Sequence, residues 1–199
     1  GIKKIIAHGT RNNFKEDCSL LTNISEEILV FAPNSKEVYG NKMYVKSYDF
    51  KGLDKFMEGE FRNNHFQGVA TVVELLLDIV KPDRAYFGEK DFQQLQIIKS
   101  LKTKIEIIGC ETQREKSGLA LSSRNNKLSL KSKKVASNIF KSLTFLKSNL
   151  SNYSIKDLTS TVSDNINSFD QMNLEYLIIA DEDKFCLLYT SDAADEVVS

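Results

Sequence analysis

Between Val69 and Val80 the apolar residues Val69, Val72, Val73, Leu76 and Val80 recur at intervals of three and four, the spacing of one α-helical face. Leu75, Leu77 and Ile79 widen that face so far that the pattern predicts a buried helix. Pro82-Asp83 breaks the chain, and Arg84 to Phe87 reads as a strand closed by Gly88. A second helix is expected from about Asp91 to Leu101, followed by the short apolar strand Ile105–Gly109. Upstream, EEILVFAP predicts a strand from Ile28 to Phe31 stopped by Pro33. Helix, strand, helix and strand at this spacing imply crossover connections and a parallel sheet.

The pattern changes after Arg114. Val135, Ile139, Leu143, Leu146 and Leu150 lie at helical spacing on a Lys- and Ser-rich background, which predicts an amphipathic helix covering something. A further helix is expected over Ile155–Ile166 and a strand over Leu174–Ala180. The division between an α/β half and a smaller α+β half falls between Gln113 and Ser129, where SGLALSSRN is rich in small and polar residues. This gives three expected regions: residues 1–113, residues 114–185 and a tail of residues 186–199.

Composition narrows the partners. The 199 residues carry 27 Lys+Arg against 27 Asp+Glu, so there is no general attraction for nucleic acid or anionic membrane. No apolar run approaches a membrane span, and GIKKIIAHGT lacks the apolar core of a signal peptide. Cys18, Cys110 and Cys186 are odd in number and widely spaced, which makes a reducing, cytoplasmic setting the expectation. His8 and His65 stand alone, so a histidine-based metal site is not expected.

Three short polar clusters could carry chemistry. In AYFGEKDFQQL, Gly88 permits a close backbone approach, and a helix start beyond the carboxyl end of a strand presents N–H groups to anions. Lys90 and Gln94 are four apart and Asp91 and Gln94 three apart, so a cation, an anion and an amide would converge. From spacing alone, a solvated helix start with Glu89 and Asp91 complementing the dipole accounts for the same residues slightly better. The second stretch is Ser122-Ser123-Arg124-Asn125, whose hydroxyls and guanidinium could grip phosphate oxygens, or serve as a polar link with a capping Ser. Arg62 with His65 is a third cluster, for which an N-terminal cap and a structural histidine are the simpler reading.

FRNNHFQGVATVVELLLDIVKPDRAYFGEKDFQQLQII, followed by REKSGLALSSRNNKLS, closely resembles the pantothenate synthetase (pantoate–β-alanine ligase) family. The likeness extends more loosely from about Arg11 through FKEDCSLL and VFAPNSKEVYG to LEYLIIADED. It implies a Rossmann-like nucleotidyltransferase domain followed by a smaller α+β domain. It also implies ATP-dependent condensation of pantoate with β-alanine through a pantoyl-adenylate, with Mg2+, in a cytoplasmic homodimer. Position by position, Gly88, Glu89, Lys90 and Asp91 match the family's ATP-contacting segment, with Lys90 on phosphate and Gly88 and Asp91 on the ribose. Gln94 matches a pantoate-binding residue, and Leu121, Ser122, Ser123 and Arg124 match the loop on the triphosphate. Gln113 matches a position that contacts adenine through its backbone. Lys90 and Arg124 would stabilise charge developing on the phosphoryl oxygens. Asp17, with Glu16, lines up with the family's acidic, metal-associated stretch.

The chain also departs from the family. A Met-Gly-x-x-His-x-Gly-His run and an Asn-Pro-x-Gln-Phe segment are absent, and His8-Gly9 does not replace the first because it immediately precedes FKEDCSLL. GIKKIIAHGT matches nothing in the family pattern. The run from Cys186 to Glu196 resembles a sequencing-library adapter, so residues 186–199 are expected to be a non-native tail without a partner strand. On this reading the chain is a fragment that makes no pantothenate. Two other readings stand beside it: another enzyme of the nucleotidyltransferase group, and a non-catalytic nucleotide-binding module.

Overall fold

The computed structural model describes residues 4–7, 14–181 and 187–189. The chain divides into two compact units, Gly1–Phe87 with Asp91–Gly109 and Gly88–Lys90 with Cys110–Ser199.

The first unit opens with strand β1 (Lys4–Ala7), helix α1 (Phe14–Ile24) and strand β2 (Ile28–Phe31). The strands pair in parallel, Lys4 opposite Ile28 and Ala7 opposite Phe31. Parallel neighbours need a crossover, and α1 lies between them in sequence and packs on β2. β2 has the expected bounds. β1 comes from the opening stretch that the family pattern leaves unplaced. After Pro33, Asn34 starts α2 (Ser35–Tyr39) with a reciprocal cap. Its Oδ1 accepts the Lys36 and Glu37 N–H groups at 2.9 and 3.1 Å, and Glu37 Oε2 accepts the Asn34 N–H at 2.7 Å.

Helix α4 (His65–Val80) follows the short α3 (Glu58–Phe61) and carries the core of this unit. It buries Phe66, Ala70, Thr71 and Leu77, with Val73 packed beside them, while Val69, Val72, Leu76 and Val80 are only half-buried. The expected face is therefore displaced by about one residue, and Ile79 is 45% exposed. The apolar residues cover so wide an arc of the helix that their spacing does not fix which of them face the core. The core joins Phe66 and Ala70 to Phe50 and to Ile97, Ile98 and Leu101, with Phe87 and Ile107 against it. Lys81 adopts a left-handed conformation (φ 48°) and donates its N–H to Leu77 O at 2.8 Å. Pro82 disfavours the α region for the residue before it, so the helix stops there. Strand β3 (Arg84–Gly88), helix α5 (Phe92–Lys99) and strand β4 (Glu106–Cys110) follow, with β3 hydrogen-bonded to β4.

Residues 46–48 run along α4 and are fastened to it by helix side chains. Thr71 Oγ1 accepts the Lys46 N–H at 2.9 Å, and the Gln67 amide both accepts the Tyr48 N–H at 2.8 Å and donates to Tyr48 O at 3.0 Å. Glu74 takes the Lys46 ammonium and, at 2.9 Å, the Tyr48 hydroxyl. The positions 67, 71 and 74 share one helix face, so three polar side chains do for this segment what a neighbouring strand would do.

In the second unit, α6 (Leu130–Asn149) and α7 (Ile155–Asn167) form a helix pair. Both have serine caps: Ser129 accepts the Ser132 N–H at 3.0 Å and Ser154 the Asp157 N–H at 3.1 Å. Leu146 packs with Val162 and Ile166, against Met172, Leu174, Leu177 and Ile179. The expected α6 face is corrected: Leu146 is buried, but Ile139 and Leu143 are 45% and 42% exposed, and Ser137 and Ser142 are buried instead. Their hydroxyls are satisfied by Lys134 O and Asn165 Oδ1, which lets a serine face a neighbouring element. The expected strand over Leu174–Ala180 contracts to β5 (Ile179–Ala180), since Leu174 and Leu177 serve the core rather than a ladder. The expectation of an unpartnered tail is also corrected, because β6 (Leu187–Tyr189) pairs antiparallel with β5. The other residues of the expected tail lie outside the described residues.

Candidate functional site

β3 delivers Gly88 to its end, and Glu89–Asp91 then form a single 3-10 turn before α5 begins at Phe92. Gly88, Glu89, Lys90 and Asp91 are all exposed. Asp91 is the N-cap of α5 but makes no side-chain capping bond, and its φ −100°, ψ 61° lie outside helical space. The expected stacking of Lys90 over Gln94 on one α-helical face is therefore corrected, because the helical register is interrupted at Asp91. Gly88, Glu89 and Lys90 belong to the second unit, with Gln113 and residues 121–124, whereas Asp91 and Gln94 belong to the first.

The two glutamines of QQL have different surroundings. Gln94 is half-buried, whereas Gln93 is only 4% exposed and fully engaged. Gln93 Nε2 donates to Leu53 O at 2.7 Å and to Phe56 O at 2.8 Å, and Oε1 accepts the Glu58 N–H at 3.1 Å. Sequence reasoning gave Gln93 no role, although it stands four residues before the fully buried Ile97 and so shares a helix face with it. Nearby in sequence, Arg62 pairs with Glu58 at 3.6 Å, and the His65 ring lies 5.1 Å from Phe66. Burial holds the His65 imidazole below its ordinary pKa, Arg62 adds repulsion in the same direction, and Glu58 opposes them. Neither Arg62 nor His65 caps α4: the N-cap is Asn64, in a left-handed conformation and without a side-chain bond.

The second unit builds its polar loop on a tight hairpin. Arg114 and Ala120 form an antiparallel bridge, Glu115 N–H donates to Leu119 O at 2.8 Å, and Leu121 N–H donates to Gln113 O at 2.9 Å. Two residues picked from sequence, Gln113 and Leu121, are thus bonded to one another. At the turn, Gly118 has φ +89°, and an added Cβ would stand 2.6 Å from Phe140 Cδ1. The Arg114 guanidinium lies 3.9 Å over the Phe140 ring and donates to Gly118 O at 3.2 Å. Helix α6 therefore anchors the hairpin through one aromatic side chain. Beyond it, Ser122 Oγ accepts the Arg124 N–H at 3.2 Å and caps a 3-10 turn over Ser123–Lys127, while Asn125 Nδ2 ties the turn to Ala120 O at 2.9 Å. Ser122 keeps its O–H for donation, and Ser123 and Arg124 are exposed beside it. This arrangement can present several donors to an anion.

Among the described residues no group of three His, Cys, Asp or Glu could hold a metal ion. Asp17 lies on α1 with its side chain outside the described residues, as does all of His8, and Glu16 is exposed. Among the described residues, no helix is long and apolar enough to cross a membrane.

Known proteins share this architecture. Pantothenate synthetase from Thermus thermophilus superposes with a TM-score of 0.81 at 32% identity, covering 90% of this chain and 67% of that one. Pantoate-beta-alanine ligase from Francisella tularensis, solved with β,γ-ATP and β-alanine, superposes at 0.67 with 29% identity, covering 83% and 68%. The fold is accordingly of the nucleotidyltransferase-like α/β class. In sequence, pantothenate synthetase of Christiangramia forsetii is 43% identical over 175 residues, 86% of this chain and 62% of that protein. That of Bacteroides thetaiotaomicron is 42% identical over 173 residues, 83% and 59%. The Pantoate-beta-alanine ligase family model matches residues 11–198, and the chain belongs to that family. It spans about three fifths of the length of these curated relatives.

Proposed function

We propose that the protein's residues serve the pantoate–β-alanine ligase reaction, which joins the two substrates with ATP to give pantothenate, AMP and diphosphate, and that the 199-residue chain by itself makes no pantothenate. The observation that carries this reading is the family match over residues 11–198, within which GEKD and SSRN stand at a strand end and on an anchored hairpin. In the first step a pantoate carboxylate oxygen bonds to the α-phosphorus as the bond to diphosphate breaks. Two anions must meet, so fixed cations have work to do there. Lys90 and Arg124 take that role, with Ser122 and Ser123 donating hydrogen bonds to the triphosphate, Gly88 and Asp91 on the ribose, and Gln94 on pantoate. Gln113 contributes backbone contacts to adenine; its carbonyl already holds Leu121, which fixes that backbone in place. In the second step the amine of β-alanine attacks the acyl carbon and AMP leaves. The acyl-adenylate hydrolyses if wetted, so a loop that covers it is useful. Mg2+ belongs to the same reading, and Asp17 on α1 is the residue this chain would offer it. A cytoplasmic homodimer belongs to the same reading.

Titration of the isotope-labelled protein with ATP and with pantoate tests it. Amide shifts should centre on residues 88–91 and 121–124 for ATP and on Gln94 for pantoate. Equal responses to pantoate and to an unrelated hydroxy acid would favour another acceptor within the same fold, and shifts confined elsewhere would overturn the assignment.

A further inference from the structure

Gln93 makes three side-chain hydrogen bonds in the first unit, and the proposed chemistry leaves it unused. It reaches from the first turn of α5 to the segment 53–58, where it satisfies two carbonyls and one N–H. That segment needs holding. Lys51, Gly52 and Met57 have positive φ values of 52°, 92° and 54°, uncommon for the two residues that bear a Cβ. Met57, the N-cap of α3, supplies no side-chain bond, so Gln93 Oε1 acts as the cap for the Glu58 N–H from 35 residues away. From α3 the chain leads directly to Arg62, paired with Glu58, and to His65.

We infer that Gln93 is a positioning residue for Gln94. Resting on the ligase reading above, it fixes the rotation of the first turn of α5 and thereby the direction in which the adjacent amide meets pantoate. An amide is needed because the site asks for two donors and one acceptor on one planar group. Leucine fills the space and leaves three groups unpaired. Glutamate accepts from Glu58 N–H but turns a charge toward two carbonyls until it is protonated, and such a buried carboxyl titrates above its ordinary range.

The test compares wild type, Gln93→Leu and Gln93→Glu by NMR in the full chain, with pantoate and, separately, inorganic triphosphate as probes. Gln93→Leu should weaken pantoate by about tenfold or more, move the Gln94 side-chain amide resonances, speed exchange of the Glu58 amide, and leave triphosphate affinity unchanged. Gln93→Glu should approach wild-type pantoate affinity near pH 5 and lose it by pH 8, each compared with wild type at the same pH. This pH-dependent rescue is not expected of a residue that only fills the core. Unchanged pantoate affinity and Gln94 resonances in Gln93→Leu, or a pH-independent Gln93→Glu, would overturn the positioning role. If wild type itself does not respond to pantoate, the ligase reading fails instead. The Gln94 resonances of the unliganded variants then decide about Gln93, displacement supporting the role and identity overturning it.

Discussion

Replacing Gly118 with alanine isolates what holds the SSRN loop in shape. The residue turns the hairpin at φ +89°, and its missing Cβ is where the Phe140 ring edge sits, 2.6 Å from the would-be carbon. Placing an L side chain in left-handed space costs about 1–2 kcal/mol. The ring must also swing aside, and it then leaves the Arg114 guanidinium now 3.9 Å above it, a contact worth about 0.5–1 kcal/mol at an exposed site. Alanine stiffens the unfolded chain, which returns about 0.4–1 kcal/mol. The net expectation is a loss of about 1–2 kcal/mol, read from urea unfolding followed by far-ultraviolet circular dichroism. The double variant Gly118→Ala, Phe140→Ala separates the contributions: without the ring, Gly118→Ala should cost only its backbone share. Gly118→Ala that matches wild type to within about 0.3 kcal/mol, or a cost unchanged by removing Phe140, would show that the ring does not set the hairpin.

Other perturbations probe the remaining features. Lys90→Ala should slow adenylate formation by roughly 10²-fold in a single-turnover assay of a full-length ligase carrying these residues, and Lys90→Met, which keeps bulk and removes charge, should do the same; near-normal rates would return Lys90 to a solvated face. Thr71→Val keeps the shape of a fully buried side chain but leaves the Lys46 N–H without its acceptor, an expected loss of about 1–3 kcal/mol, and equal stability would mean that water replaces the hydroxyl. The Lys46 hydrogen bond lowers the pKa of Glu74, so the stability contributed by Glu74 is present above its ordinary value of 4.5 and is lost as pH falls through the lower folded value. The stability difference between wild type and Glu74→Gln should therefore shrink on acidification below that range, and a difference constant down to about pH 3 would contradict the pairing. At the alkaline end, burial and then the bond to Glu74 push the Tyr48 phenol up to about 12, so wild type should lose stability between pH 10 and 12 and Tyr48→Phe should remove part of that loss.

Much of this was readable from residues and some was not, for physical reasons. Strand Ile28–Phe31 and helix Ile155–Asn167 stand close to where their patterns put them, because a short apolar run stopped by Pro33 and an apolar stripe at three- and four-residue spacing are local signals. The stripe on α6 misled because burial there depends on which neighbours arrive: serines 137 and 142 found partners, and Ile139 and Leu143 did not. β1 and β6 were not expected as strands, and they exist through pairing with β2 and β5. At the candidate site, motif likeness pointed to Lys90, Gln94 and residues 121–124. It could not reveal that Gln93 ties down a loop, that Arg114 and Phe140 clamp the hairpin, or that Asp91 breaks helical register, since each depends on partners remote in sequence or on backbone angles.

The four residues of α3 have a consequence for the order in which the first unit folds. A single turn is far below the length at which a helix sustains itself in water, since nucleation fixes several residues for one bond. Its leading N–H is met by a side chain 35 residues further along, on a different helix. In the unfolded chain that partner is absent, and the positive-φ residues around Met57 favour other conformations. The turn from Met57 to His65 can therefore settle only after α5 has docked on α4 and brought Gln93 into place. During synthesis this segment waits for sequence not yet made, and in refolding the Glu58 amide should gain protection later than the amides of α4 that surround Ala70.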